Sequence, residues 1–211
     1  MKRRKPIPEG IGEELEPGGR APAPGSLRLV QQFVNTHNHE FEIDRDRLRT
    51  PAHARRWLVA HNLMEEGASL SERDRRRLVL VREAMREWLG ATLRQDQQVM
   101  SHGILDDAAR RARLTMGFAS AGEPALFPEA RGASGAMGRL LALLYDAAAD
   151  GVSDRLKPCR ECGWLFFDQS KNRSAEWCSM SICGNRMKNR SYRRRSSGAA
   201  GTRTGRGPHD P

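Results

Sequence analysis

The chain reads as a mainly α protein with a small β-hairpin, in which a helical N-terminal domain precedes a small cysteine-rich module. Three observations predict this. Apolar residues recur at three- and four-residue spacing in several segments before residue 150, the period of a helix face. All four cysteines lie between positions 159 and 183. The charge is unevenly divided: residues 151–211 hold 13 basic and 5 acidic side chains, net +8, whereas residues 1–25 and 26–150 are each net +1.

The whole chain has 211 residues and a net charge of +10. Its mean hydropathy is −0.69, which predicts a soluble protein with a modest core. The longest apolar-rich stretch, Leu140 to Ala149, carries Asp146 and is too short to span a bilayer. Lys2-Arg3-Arg4-Lys5 is a basic start with no apolar run after it, so no secretory signal is expected. The expected compartment is the cytoplasm, with no membrane partner. Clustered cysteines in a reducing compartment point to metal binding over disulfides.

Residues 1–25 read as a disordered tail, because five prolines and almost no large apolar residues cannot offset chain entropy. Residues 196–211 read the same way. The helical domain occupies 26–152. Leu27 to Phe41 fits a strand or a helix, with a lean to helix over its first half. Thr50-Pro51 marks a helix start, threonine as N-cap and proline at the first position, where a missing N–H is no loss. That helix runs to about His61, with Ala54, Trp57 and Leu58 inward and Asn62 as its stop. Ser71, with Asp74 three residues on, opens the next helix by a loose capping box. Leu78, Val81, Met85, Trp88, Leu89 and Thr92 form its apolar face, and the charged run Glu72 to Arg77 its solvated side. A shorter helix covers Ile104 to Arg111. Two apolar runs around Ser120-Ala121-Gly122-Glu123 predict a hairpin. Ser134 to Ala149 is a helix with Met137, Leu140, Leu141, Leu144, Tyr145 and Ala148 on one side, ended by Gly151.

The module at 153–195 carries the chemistry. Cys159-x2-Cys162 is followed after fifteen residues by Cys178-x4-Cys183. Two such pairs predict one structural zinc ion held by Cys159, Cys162, Cys178 and Cys183 in a small treble-clef-like zinc finger. Four reduced cysteines without metal would leave a polar segment with no staple. An iron–sulfur cluster is the chemical rival. A catalytic zinc would keep an open position, which four cysteines close. Gly163 and Gly184 follow the two pairs, where a turn around a metal asks for positive φ. Trp164 to Phe167 is a strand candidate, and Asp168 to Ser174 a turn.

The last cysteine leads into a helix from Gly184 to Arg195 with six basic residues and no acid. Arg186, Arg190, Arg193 and Arg194 fall within an arc of roughly 100°. Lys188 lies off this stripe, and Asn185 and Asn189 beside it. Arginine suits phosphate or guanine, and asparagine adenine. These residues, with Lys171 and Arg173 in the turn, are the candidate nucleic-acid contacts. A solvated basic helix end stabilised by the helix dipole would look similar.

Cys183-Gly184-Asn185-Arg186 spells the signature of the CGNR zinc-finger family. Cys159-Arg160-Glu161-Cys162, Phe167-Asp168, Trp177-Cys178-Ser179, Tyr192 and Arg193 resemble its surroundings. Phe33-Val34-Asn35-Thr36 is similar to the stretch that opens the ABATE domain, which precedes the finger in stress-induced transcription regulators. The resemblance covers about residues 26–195 and implies a DNA-binding regulator.

The near-neutral N-terminal domain leaves ligand sensing or homodimerisation as its roles; Trp57 and Trp88 read as core. His37 and His39, with His53 or His61, lack the cysteines or carboxylates of a second metal site and read as cap or loop residues. Asn35 and Thr36 read as capping or turn residues. No nucleophile–base pair, phosphate loop or carboxylate dyad supports an enzyme. An RNA-binding protein and an adaptor for an acidic protein partner are the alternatives. RNA readers stack bases on aromatics, and Tyr192 alone stands on the helix, which tilts the reading to DNA.

Overall fold

The computed structural model describes residues 22–37, 46–90 and 95–199, with side chains for all of these except 95–98 and 194–199. Most of both predicted tails, His39 and Thr92 lie outside the described residues. Five helices build the first part: α1 Leu27–Val34, α2 Pro51–Ala60, α3 Glu72–Leu89, α4 Gln95–Ala112 and α5 Gly132–Ala149. The hairpin β1 Leu114–Phe118 and β2 Pro124–Pro128 sits between α4 and α5. A short ribbon, β3 Leu156–Pro158 and β4 Leu165–Phe167, leads to α6 Asn185–Ala199. Both strand pairs are antiparallel. Among the described residues, no helix is long and apolar enough to cross a membrane.

The sequence read ambiguously at α1 because this helix has almost no solvated side. Leu27, Leu29, Val30, Gln31, Gln32, Phe33 and Val34 are all buried. A helix enclosed on all sides loses the polar stripe that would reveal its period. It packs against α3, α5 and β4. The next two helices begin as their caps predict. Thr50 Oγ1 accepts the His53 N–H at 3.3 Å. Ser71 and Asp74 complete a reciprocal capping box, each backbone N–H donating to the other side chain at 3.2 Å. Asn62 follows the end of α2 in the left-handed conformation at φ 55°. In α3 the charged run is indeed paired along the helix, Arg75 and Arg76 to Glu72 and Arg77 to Asp74.

Two expectations need correction. The helix α4 begins well before Ile104, at Gln95. Its early apolar residues Val99 and Met100 face solvent, so no inward stripe announced that part. In α5, Tyr145 and Ala148 are exposed. The buried face instead runs through Ala133, Ala136, Met137, Leu140, Leu144 and Ala147. Small alanines fill it because neighbours come close. A Cβ on Gly138 would lie 2.5 Å from Ala112 Cβ and 2.8 Å from Pro128 Cβ.

The ribbon β3–β4 joins two cores. Leu156 and Leu165 are buried in the core of the helical domain, and Phe167 packs against it. Trp164 and Phe166 alternate to the other side, where they cluster with Cys159, Cys162 and Cys183. A strand's period of two thus gives each core its own residues. The Asn35 side chain seals the join. Its Nδ2 donates to Leu165 O at 2.8 Å, and its Oδ1 accepts the Leu165 N–H at 2.8 Å. This is the bond pair that a neighbouring strand would make. Gln31 Nε2 adds a second donor to Leu165 O at 3.2 Å.

Arg86 on α3 makes the second link. It is buried, and its Nη1 donates to Gly163 O at 2.6 Å and its Nη2 to Val34 O at 2.6 Å and His37 O at 2.9 Å. One turn earlier, buried Arg82 forks onto Asp46 at 2.7 and 2.9 Å and donates to Thr36 Oγ1 at 3.2 Å. Glu83 accepts from the Nε of both arginines. The charges are therefore compensated within the interior, as burial requires.

Within the module, Asp168 organises the turn after β4. Its buried carboxylate accepts from Lys157 Nζ at 2.8 Å, the Ser170 N–H at 2.8 Å and the Ala175 N–H at 3.0 Å. Burial alone would raise its pKa, but these donors outweigh it and bring the carboxyl down to about 2.

Two outcomes follow. Asn35→Ala removes the acceptor of the Leu165 N–H and leaves the Leu165 carbonyl to Gln31, and should destabilise the protein by about 1–3 kcal/mol; an unchanged urea midpoint would refute the role. Asp168 has a depressed pKa, so its contribution is present above pH ~4 and is lost as the pH falls toward 2. The stability difference between the wild type and Asp168→Asn should be largest near neutrality and shrink below pH 4, which thermal melts across pH would read. An equal difference at pH 3 and pH 7 would contradict it.

Candidate metal centre and basic helix

The first cysteine pair is folded by a tight turn between β3 and β4. The Gly163 N–H donates to Cys159 O at 2.8 Å, and the Cys159 N–H to Trp164 O at 2.8 Å. Gly163 holds φ 70°, the left-handed conformation expected of it. Returning chain is tied alongside by the Arg160 N–H donating to Glu176 O at 3.1 Å.

Of the second pair, Cys183 stands in a single π turn, Met180–Gly184, directly before α6, and Cys178 lies just ahead of that turn. Such wide turns recur at functional sites. Gly184 does not adopt positive φ, contrary to expectation. It is buried, and a Cβ there would lie 2.9 Å from Met180 Sδ, which the exposed, flexible Met180 side chain could give way to.

These turns bring the four sulfurs of Cys159, Cys162, Cys178 and Cys183 within 4.8 Å of one another. Cys162 and Cys178 are 3.6 Å apart, Cys178 and Cys183 3.6 Å, and Cys162 and Cys183 3.7 Å. These separations are far beyond a disulfide bond. They match the edge of about 3.8 Å that four sulfurs at about 2.3 Å from a tetrahedral zinc would define. Three of the cysteines are buried and Cys178 is half-buried.

The crowding also fixes the protonation problem. Hydrogen bonds from Cys162 and Cys178 hold the Cys159 thiol far below its ordinary value. The Cys159 thiolate in turn pushes the Cys162 and Cys178 thiols up. Four thiolates cannot share this volume without a compensating cation. The donor set and spacing fit one zinc ion, whose charge would let all four ionise. Among the described residues this is the cluster of cysteine, histidine and carboxylate groups gathered for a metal. His53 instead meets Thr50 and Arg49, and His61 meets the Trp57 carbonyl.

The basic helix α6 starts two residues after Cys183. Asn185, Arg186, Lys188, Asn189, Arg190 and Arg193 are exposed, and Met187 is half-buried. Asn185 Nδ2 donates to Ser181 O at 3.1 Å, which ties its side chain to the preceding turn. The side chain of Arg194 lies outside the described residues. Arg190 reaches back to the knuckle. It forks onto Glu161 at 2.7 and 3.1 Å. In the turn, Lys171 is exposed, while Arg173 pairs with Asp154.

Four residues that organise the site had no reading of that kind in the sequence. Glu161 and Asp168 are acids in a basic module, a contrast that could have marked them as partners of its cations. Arg82 and Arg86 stand one position after Val81 and Met85 on the apolar face of α3, which was their available signal. Asn35 had been read as a cap or turn residue, and its contact 130 residues away has no local signature.

The chain matches two family models in succession. Residues 27–155 match ABATE, described as "Putative stress-induced transcription regulator". Residues 155–196 match zf-CGNR, the CGNR zinc finger. Both are regulator or zinc-finger types and neither is an enzyme family. No curated protein matches the chain. With its buried α1, its paired cysteines and its finger in this order, the chain belongs to the ABATE family and carries a CGNR zinc finger able to bind one zinc ion.

Proposed function

We propose that this protein is a DNA-binding transcription regulator in which zinc on Cys159, Cys162, Cys178 and Cys183 fixes the start of α6 as the nucleic-acid-binding helix. The zinc is structural and performs no chemistry. The observation that carries the reading is α6 itself. It has fifteen residues and no carboxylate. It packs mainly on the turn that precedes it, leaving Arg186, Lys188, Asn189 and Arg193 in solvent. A helix polar on every side gains little from packing. Its cations repel one another until a polyanion neutralises them. Lys171 and Arg194 would add phosphate contacts at the margins. Arg173 is a weaker candidate, since its guanidinium already meets Asp154. A cytoplasmic location would keep the four thiols reduced for the metal.

One observation favours RNA as the second reading. Tyr192 is an exposed aromatic on the same helix, the residue type on which RNA readers stack unpaired bases.

Metal analysis should return one zinc per chain and little in Cys178→Ser. Zinc should be lost as the pH falls, because binding releases thiol protons. Full zinc in the cysteine variant would sink the ligand assignment. Binding to duplex DNA and to RNA should be measured across a salt series. Arg186→Ala with Arg193→Ala should keep its zinc, bind DNA about 10-fold or more weakly and lower the salt slope by about two. Unchanged DNA binding in that variant would refute the helix as reader, and tighter binding to RNA at equal salt would select the RNA reading.

A further inference from the structure

Arg190 sits on the basic stripe, yet its guanidinium is engaged by Glu161 in a two-point fork, Nη2 to Oε1 at 2.7 Å and Nη1 to Oε2 at 3.1 Å. The two residues are 29 positions apart. Glu161 lies inside the knuckle, between Cys159 and Cys162, and its side chain is only 5% exposed. An acid placed there weakens the attraction of the module for any polyanion. Its position needs a reason.

The reason is mechanical. Cys183 anchors the start of α6, and a helix held at one point can swing. Arg190 lies seven residues further on, about 10 Å along the axis. A second attachment at that distance fixes the direction of the helix. It also ties that direction to the knuckle, which Arg86 and the Asn35–Leu165 pair bind to the helical domain.

We propose that Glu161 and Arg190 form a positioning clamp that sets the angle of α6 for nucleic-acid binding, and that Arg190 stays on Glu161 when the polyanion is bound. The proposal rests on the reading of α6 as the binding helix. Moving Arg190 to a phosphate would leave a nearly buried carboxylate without its partner, which costs more than an exposed pair returns. The fork also demands arginine, because lysine offers one point where two are used. Direct contact then falls to Arg186, Lys188 and Arg193, and Glu161 becomes a required acid in a basic module.

The two roles open to Arg190 predict effects of opposite sign. Were Arg190 a phosphate contact restrained by Glu161, Glu161→Gln would remove a repulsive charge and tighten binding. As a clamp, Glu161→Gln should weaken duplex binding about 5- to 20-fold with the salt slope unchanged and zinc content intact. Arg190→Lys, which keeps the charge, should weaken it similarly. Tighter or unchanged binding in Glu161→Gln, or wild-type binding in Arg190→Lys, would overturn the clamp. Hydrogen exchange of the free, zinc-loaded chain gives a readout independent of any nucleic acid. Protection of the α6 amides around Arg190 should fall in Glu161→Gln, and undiminished protection would also overturn it. If the exchange result holds while no nucleic acid binds the wild type, the clamp stands and the functional reading fails.

Discussion

The backbone of Leu165 carries the connection on which this molecule depends. One residue of a three-residue strand has its N–H and its carbonyl held by the Asn35 amide. Its side chain is enclosed by the helical domain. Its neighbours Trp164 and Phe166 turn to the opposite side and wall the metal centre. Neither part could move against the other without exposing apolar surface and breaking two short hydrogen bonds. The finger is therefore a projection of the helical core. It differs from a bead on a linker, for which a polar boundary with few contacts would be expected.

The interior arginines extend the same logic. Arg82 and Arg86 occupy positions that an ordinary amphipathic helix would give to leucine. Placed there, Arg86 reaches the carbonyls of Val34 at the end of α1, His37 just beyond it, and Gly163 in the knuckle, while Arg82 holds Asp46 and the Thr36 hydroxyl. Glu83 and Asp46 supply the opposite charge. Burial pulls the Arg86 guanidinium below its ordinary value and Glu83 works against this; a guanidinium stays protonated all the same. The result is a donor array that specifies one arrangement of α1, α3 and the knuckle.

Much of this was legible in the sequence, and the boundary of legibility is physical. Caps and turns are local, so Thr50-Pro51, Ser71-Asp74 and the Ser120–Glu123 hairpin could be read from neighbouring residues. The cysteine spacing was legible because a tetrahedral metal restricts it. What escaped was non-local or unpatterned. The exposed start of α4 had no inward stripe, and β3 is three residues of Leu-Lys-Pro. The partnerships of Asn35 with Leu165 and Glu161 with Arg190 span 130 and 29 residues. At the basic helix, residue type pointed to a polyanion but could not show that Glu161 already engages Arg190.

The shared strand has a thermodynamic corollary. Because β4 contributes to both cores, the folded helical domain and the metal-loaded finger stabilise each other, and such coupling is reciprocal. Free zinc concentration then enters the stability of helices that hold no ligand, by mass action. Conversely, a substitution deep in α1 or α3 registers as altered affinity for the metal. The helical domain and the ion form a single cooperative unit, in which metal supply and domain integrity are two readings of one equilibrium.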